Sequence, residues 1–208
     1  MSSAARPLRL GILLSGRGSN FQAIARSIAE GRLSGVEIAV VISNVEDAAG
    51  LTAAREKGLP TVLHVSKGRP RAEHDQAMIS TLRAHAVDLV CLAGYMRLLS
   101  PGFIAAFPQR IVNIHPSLLP AFPGLDAQTQ AFEYGVKVAG CTVHFVDEHL
   151  DHGAIILQRT VPVLDSDDAH ALAERILVEE HRAYSEAIAS VASGEYEIRG
   201  RRYVRRTR

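Results

Sequence analysis

The chain has 208 residues, 47% apolar and 22% charged, with a formal net charge of +1. That length suits one α/β domain with a sizeable core, and the near-neutral balance gives no whole-protein argument for nucleic acid or membrane binding. Two cysteines, Cys91 and Cys141, exclude a disulfide framework and suit a reducing cytoplasm.

In chain order, Met1 to Arg9 lacks the apolar core of a signal peptide, and no later run reaches the length of a bilayer span. Leu8 to Leu14 reads as a buried strand, followed by the loop Ser15-Gly16-Arg17-Gly18-Ser19-Asn20 and a helix from Phe21 to Glu30. Val36 to Ser43 is a β-branched strand, and Ala48 to Lys57 is a helix stopped by Gly58. Thr61 to Val65, Val87 to Ala93 and Ile111 to Ile114 are further strands. Between them lie a helix over Arg71 to His85 and a short helical turn at Phe103 to Phe107. Apolar strands alternating with helices define an α/β class with a mostly parallel sheet covered on both faces.

After Pro120 the rhythm changes. Ala127 to Tyr134 reads as a helix, and Cys141, Val143 and Phe145 alternate with Thr142, His144 and Val146 as in a strand. Ile155 to Val163 supplies another strand, and these two are expected to pair antiparallel at one edge of the sheet. Asp167 and Asp168 stand where a helix cap belongs, and an amphipathic helix follows to about Val191, with Leu172, Ile176, Tyr184 and Ile188 at helical spacing. A small hairpin, Tyr196 to Ile198 and Arg201 to Val204, ends the chain. Arg199, Arg201, Arg202, Arg205, Arg206 and Arg208 crowd this end, which leaves the remainder at −5. A solvated tail explains them, and attraction of polyanions is the alternative.

Two stretches carry chemistry. The glycine loop joins a strand to a helix, so its backbone N–H groups are aimed at an anion. Phe21 stands where the dinucleotide fingerprint needs its third glycine, Asn44 where it needs an acid, and the Gly-Lys-Ser/Thr of a P-loop is absent. A phosphate monoester fits, as does a tight turn without a ligand. The second stretch is Asn113-Ile114-His115-Pro116-Ser117-Leu118-Leu119-Pro120, where strand alternation puts an amide and an imidazole on one face. That pair suits a developing oxyanion.

His115, His144, Asp147, Glu148, His149, Asp151 and His152 form a dense polar set. His115, His144 and Asp151 are ordinary metal-ligand types, although their spacing matches no familiar zinc motif. The other reading is acid–base work, with Asp151 orienting His115, Gly153 letting the loop turn tightly, and His149 and His152 left to solvent. His144 reads equally as a hydrogen-bonded core histidine. No Gly-x-Ser-x-Gly elbow is present and neither cysteine has a nucleophile's context, which favours direct transfer of an acyl group to an amine or to water.

The Ser-Gly-x-Gly-Ser-Asn loop, Ala93-Gly94-Tyr95-Met96-Arg97-Leu98-Leu99, Asn113 to Pro120, and Thr142-Val143-His144-Phe145-Val146 with Asp151 together resemble the folate-dependent phosphoribosylglycinamide formyltransferase family, in the right order from about Leu8 to Ser190. The resemblance implies a single Rossmann-like domain over 1–208, with a core at 6–192 and a hairpin with its Arg-rich tail at 193–208. It implies transfer of formyl from 10-formyltetrahydrofolate to glycinamide ribonucleotide in purine synthesis, without a metal. Asn113, His115 and Asp151 would be catalytic. Gly18, Ser19 and Asn20 would hold the substrate phosphate, and Glu180 would contact the same substrate. Arg71, Met96, Arg97, Leu98, Leu99 and Asn113 would line the folate site. The partners would be these two small molecules, with no nucleic acid or membrane, for a cytoplasmic monomer or homodimer. Leu125 to Gln130 departs from the family, which usually has histidine or another polar pattern with a basic residue in this loop near the catalytic histidine, so the loop's hydrogen bonding is expected to differ and Asp126 to alter substrate affinity or the pH optimum. A related formyltetrahydrofolate hydrolase would use water as acceptor. A phosphate-binding module would need only the glycine loop.

Overall fold

A computed structural model describes residues 6–207, so the readings made above on Met1 to Ala5 and on Arg208 lie outside the described residues. The chain divides into two compact units, Met1–Ile111 and Val112–Arg208.

The first unit alternates β1 (Leu8–Leu14), α1 (Ser19–Ala29), β2 (Val36–Ser43), α2 (Ala49–Glu56), β3 (Thr61–Leu63), α3 (Arg71–Ala84), β4 (Leu89–Leu92) and α4 (Pro101–Ala106). Its strands lie in the order β3-β2-β1-β4, with every described pairing parallel. All of β4 and the last five residues of β1 are buried, which is why these strands read as unbroken apolar runs. Gly11 permits a close contact in mid-strand, because a Cβ there would lie 2.4 Å from Leu82 and 3.0 Å from Val87. The turn expected at Phe103 to Phe107 begins earlier. Ser100 caps α4 by accepting from Phe103 N at 3.3 Å, and Pro101 fills a first-turn position where no amide hydrogen is needed.

The second unit holds β5 (Ile111–His115, from Val112 on), α5 (Ala127–Tyr134), β6 (Val138–Phe145), β7 (Ile155–Pro162), α6 (Ala169–Ala192), β8 (Tyr196–Arg199) and β9 (Arg202–Arg205). The order is β5-β6-β7-β9-β8, with β6 antiparallel to both neighbours. The antiparallel β6–β7 pair is present as expected, but β7 is not an edge. The hairpin continues the sheet beyond it, β9 running parallel to β7 at Ile155 and Arg202. Tyr203 anchors this extension, stacked on Tyr196 at 5.0 Å and tilted against Phe145 at 5.6 Å. Burial of aromatic surface thus makes a short, Arg-rich hairpin part of the sheet.

Of the two acids before α6, Asp168 is the cap, accepting from Ala171 N at 2.7 Å. Asp167 instead takes both guanidinium nitrogens of Arg175 at 2.6 Å, which with the Leu164 amide holds its carboxyl down at about 2. The inner stripe of α6 buries Leu172, Ile176, Ala183, Tyr184, Ala187 and Ile188, and the Tyr184 hydroxyl donates to Val112 O at 3.1 Å. Among the described residues no helix is long and apolar enough to cross a membrane.

Candidate active site

Asn113 and His115 sit on β5, and antiparallel register sets Asn113 against His144 and His115 against Thr142. His144 is buried, and its Nδ1 faces Phe145 O at 2.7 Å. A carbonyl can only accept, so Nδ1 carries the hydrogen and Nε2 is the acceptor. The Asn113 amide donates to that Nε2 at 3.2 Å, which fixes the side chain and leaves its second N–H for a ligand. Burial lowers the His144 pKa, outweighing the Phe145 carbonyl and Asp151 carboxylate that favour the charged form. A neutral His144 is what the bond to Asn113 requires.

Asp151 arrives from the turn between β6 and β7. Its Oδ2 lies 3.5 Å from His115 Nδ1 and accepts from Gly124 N at 2.8 Å, and its Oδ1 lies 3.8 Å from His144 Nε2. Backbone geometry places it there: Asp151 has φ +50°, and Gly153 passes so close to Phe145 that a Cβ would lie 1.9 Å from its carbonyl oxygen. Only glycine fits. His115 Nε2 points to Phe122 O at 2.9 Å, so an imidazolium here donates to a carbonyl on one side and faces a carboxylate on the other. Each ring nitrogen of His115 and His144 therefore faces a protein atom, an arrangement made for orientation and proton transfer.

The loop after His115 is pinned from β6 and β7. Thr142 Oγ1 donates to Ser117 O at 2.7 Å and accepts from Leu119 N and Gln158 Nε2, each at 3.0 Å. Ser117 Oγ closes the turn on Ala121 O at 2.6 Å. Gln158 is not singled out in the sequence, where it is one of three consecutive polar residues of β7, and Thr142 reads only as part of the β6 alternation and the family motif. Asp126 has φ +55° at the start of α5 with its side chain exposed, while the partners of His115 are Phe122 and Asp151. Glu180 is buried on α6, and with burial it pushes the Cys141 thiol up to about 12. Cys141 is core filling, as expected.

In the first unit, Gly18 opens α1 at φ +69°, with no side chain capping the helix. Ser19 and Asn20 follow in its first turn, and α1 brings no acid to that end, which leaves it suited to an anion. Gly50, at the start of α2, is the glycine that sequence reading missed. A Cβ there would lie 2.8 Å from Leu14 and 3.0 Å from Gly18 Cα, and Gly50 N donates to Gly16 O at 3.0 Å. The loop rests on it. Ser15 Oγ donates to Asn44 Oδ1 at 2.6 Å and accepts from Met96 N at 2.8 Å, tying the same loop to the 94–99 segment. Arg97 donates to Ser66 O and Arg69 O, so its guanidinium holds backbone, while Met96 and Leu98 are exposed at 70% and 54%. Leu99 is half-buried, and Arg71 opens α3 in the open.

These features describe an α/β protein with a glycine loop at the start of α1 and a cluster of Asn113, His115, His144 and Asp151. The chain belongs to the formyl transferase family, whose model matches residues 8–188. It is 45% identical over 193 residues to the trifunctional purine biosynthetic protein adenosine-3 of Drosophila melanogaster, covering 91% of this chain but spanning 14% of that relative's length. It is 40% identical over 188 residues to the phosphoribosylglycinamide formyltransferase of Escherichia coli strain K12, covering 90% of this chain and 88% of that one. The crystal structure of glycinamide ribonucleotide transformylase 1 from Symbiobacterium toebii superposes with a TM-score of 0.95 at 52% identity, over 99% of this chain and 97% of the other.

Proposed function

We propose that this chain transfers the formyl group of 10-formyltetrahydrofolate to the amine of glycinamide ribonucleotide, as a single formyltransferase domain of purine synthesis. The observation that carries the proposal is the placement of the Asp151 carboxylate 3.5 Å from His115, beside an Asn113 amide already oriented by His144. Such a trio suits acyl transfer without a covalent enzyme intermediate. The family match runs across both compact units, which supports one functional domain. A cytoplasmic location is part of the same reading.

In this reading Gly18, Ser19 and Asn20 hold the ribonucleotide phosphate through the start of α1, and Glu180 contacts the same substrate. Arg71, Met96, Arg97, Leu98 and Leu99 border the folate, with the exposed Met96 and Leu98 offering apolar surface to its ring. The substrate amine attacks the formyl carbon, and the carbonyl oxygen becomes an oxyanion. The free N–H of Asn113 and the imidazolium of His115 stabilise that charge, the oxyanion competing with Phe122 O for His115 Nε2. Asp151 stabilises the imidazolium and relays the amine's proton through water to the folate nitrogen as the C–N bond breaks.

The test is to mix the purified protein with 10-formyltetrahydrofolate, with and without glycinamide ribonucleotide, and to follow deformylated folate by absorbance. Turnover that requires the ribonucleotide supports the transferase. Equal turnover without it replaces the transferase with a hydrolase, and none at all leaves only binding.

A further inference from the structure

The Arg-rich hairpin lies beyond the family match, yet one of its arginines reaches the loop that carries Asp151. Arg201 lies in the turn between β8 and β9. Its Nη2 donates to His152 O at 2.7 Å, and its Nη1 lies against both ring nitrogens of His152. His152 directly follows Asp151, and its Nδ1 faces Asp147 Oδ2 at 3.1 Å. Asp147 is fixed in turn by the His149 amide, which donates to its Oδ1 at 2.9 Å. Asp147, His149 and His152 bring one ligand-type atom each to within 4.8 Å of one another, a set that would suit a cation. The Arg201 guanidinium is the cation held beside it.

We propose that Arg201 is a positioning residue for the reaction, holding the Asp151 loop through the backbone and ring of His152. The proposal rests on the formyl-transfer reading, in which the Asp151 carboxylate must stay within reach of His115. Three features argue for it. The loop needs holding, because Asp151 is a non-glycine residue at φ +50°, a conformation that persists only when its surroundings enforce it. The other side of the loop is already fixed, by Gly124 N on the carboxylate and by the close passage of Gly153 under Phe145. Arg201 holds the His152 end from outside the loop, beside the His152–Asp147 contact within it. The hairpin is also a firm base, because β9 pairs with β7 at Ile155, two residues past Gly153, and Tyr203 packs on Phe145.

The experiment compares the intact protein with Arg201→Ala and, as a control from the same hairpin, Arg202→Ala. It measures steady-state kinetics together with amide hydrogen exchange of the segment 147–153. Arg201→Ala is expected to lower kcat by roughly three- to tenfold, because small misplacements of a catalytic group are costly in rate. The ribonucleotide KM should hold, exchange across 147–153 should speed up, and Arg202→Ala should match the wild type. An unchanged kcat in Arg201→Ala overturns the proposal whatever the exchange shows. An equal loss in Arg202→Ala also overturns it, since the effect would then be general loosening of the hairpin. If the intact protein transfers no formyl group, the formyl-transfer reading fails, and exchange alone decides whether Arg201 holds the loop.

Discussion

In the proposed transfer, Asn113, His115 and Asp151 divide one task by the atoms they present. Asn113 offers a neutral N–H, His115 a proton-bearing ring, and Asp151 the charge that stabilises that ring. His115→Ala and Asp151→Ala are each expected to lower kcat by about 10² to 10⁴, the usual contribution of a general acid or base, with ribonucleotide binding retained. Steady-state kinetics and a direct binding titration check this, and near-wild-type turnover in either variant would remove that residue from the trio. His144 has a separate role, as the acceptor that aims Asn113. Replacing it with Phe should cut kcat more than it raises either KM, because the amide is still present but no longer directed.

At the scale of elements, the glycine loop and the helix that follows it form a unit with α2. Gly50→Ala places a methyl group against Gly18 and Leu14, so the loop must shift by some tenths of an ångström. The expected result is a higher KM for the ribonucleotide with an unchanged folate KM, and equal changes in both constants would count against a phosphate role for this loop. The cap of α6 belongs to the same scale. Asp168→Ala removes the acceptor for Ala171 N and should cost about 1 kcal/mol in a urea unfolding series, as such caps commonly contribute. Losing no stability there would mean that solvent replaces the carboxylate without penalty.

Across the molecule, stability should depend on pH through His144. Its folded pKa lies below the unfolded 6.5, so its contribution is complete above pH 6.5. That contribution is lost as pH falls from 6.5 through the lowered folded value, because the unfolded chain takes up the proton first. Thermal unfolding between pH 7.5 and 5 should therefore show a smaller decline in His144→Phe than in the wild type, and parallel declines would mean that other groups set the dependence. Asp167 acts in the same direction lower on the scale. Its carboxyl is held at about 2 by Arg175, so that contribution is present above 3.8 and disappears as pH falls toward 2. Surface charge is distributed unevenly, and among the described arginines near the C-terminus Arg205 pairs with Glu195 and Arg199 with Glu197, while Arg201 and Arg206 donate to the carbonyls of His152 and Tyr196.

What the sequence determined by itself was local. Apolar runs and helical periods located every main element, because β-strand and helix periodicities are properties of neighbouring residues. The same logic put Asn113 and His115 on one face and located the glycine loop between β1 and α1. Tertiary structure alone decided which distant groups meet. Antiparallel register set His144 behind Asn113, and a turn passing under Phe145 brought Asp151 to His115. Packing of α2 put Gly50 under Gly18, and aromatic stacking drew the hairpin into the sheet until Arg201 reached His152. No periodicity encodes these meetings. They follow from strand register and close packing among segments far apart in the chain, and both are settled only once the whole core is buried.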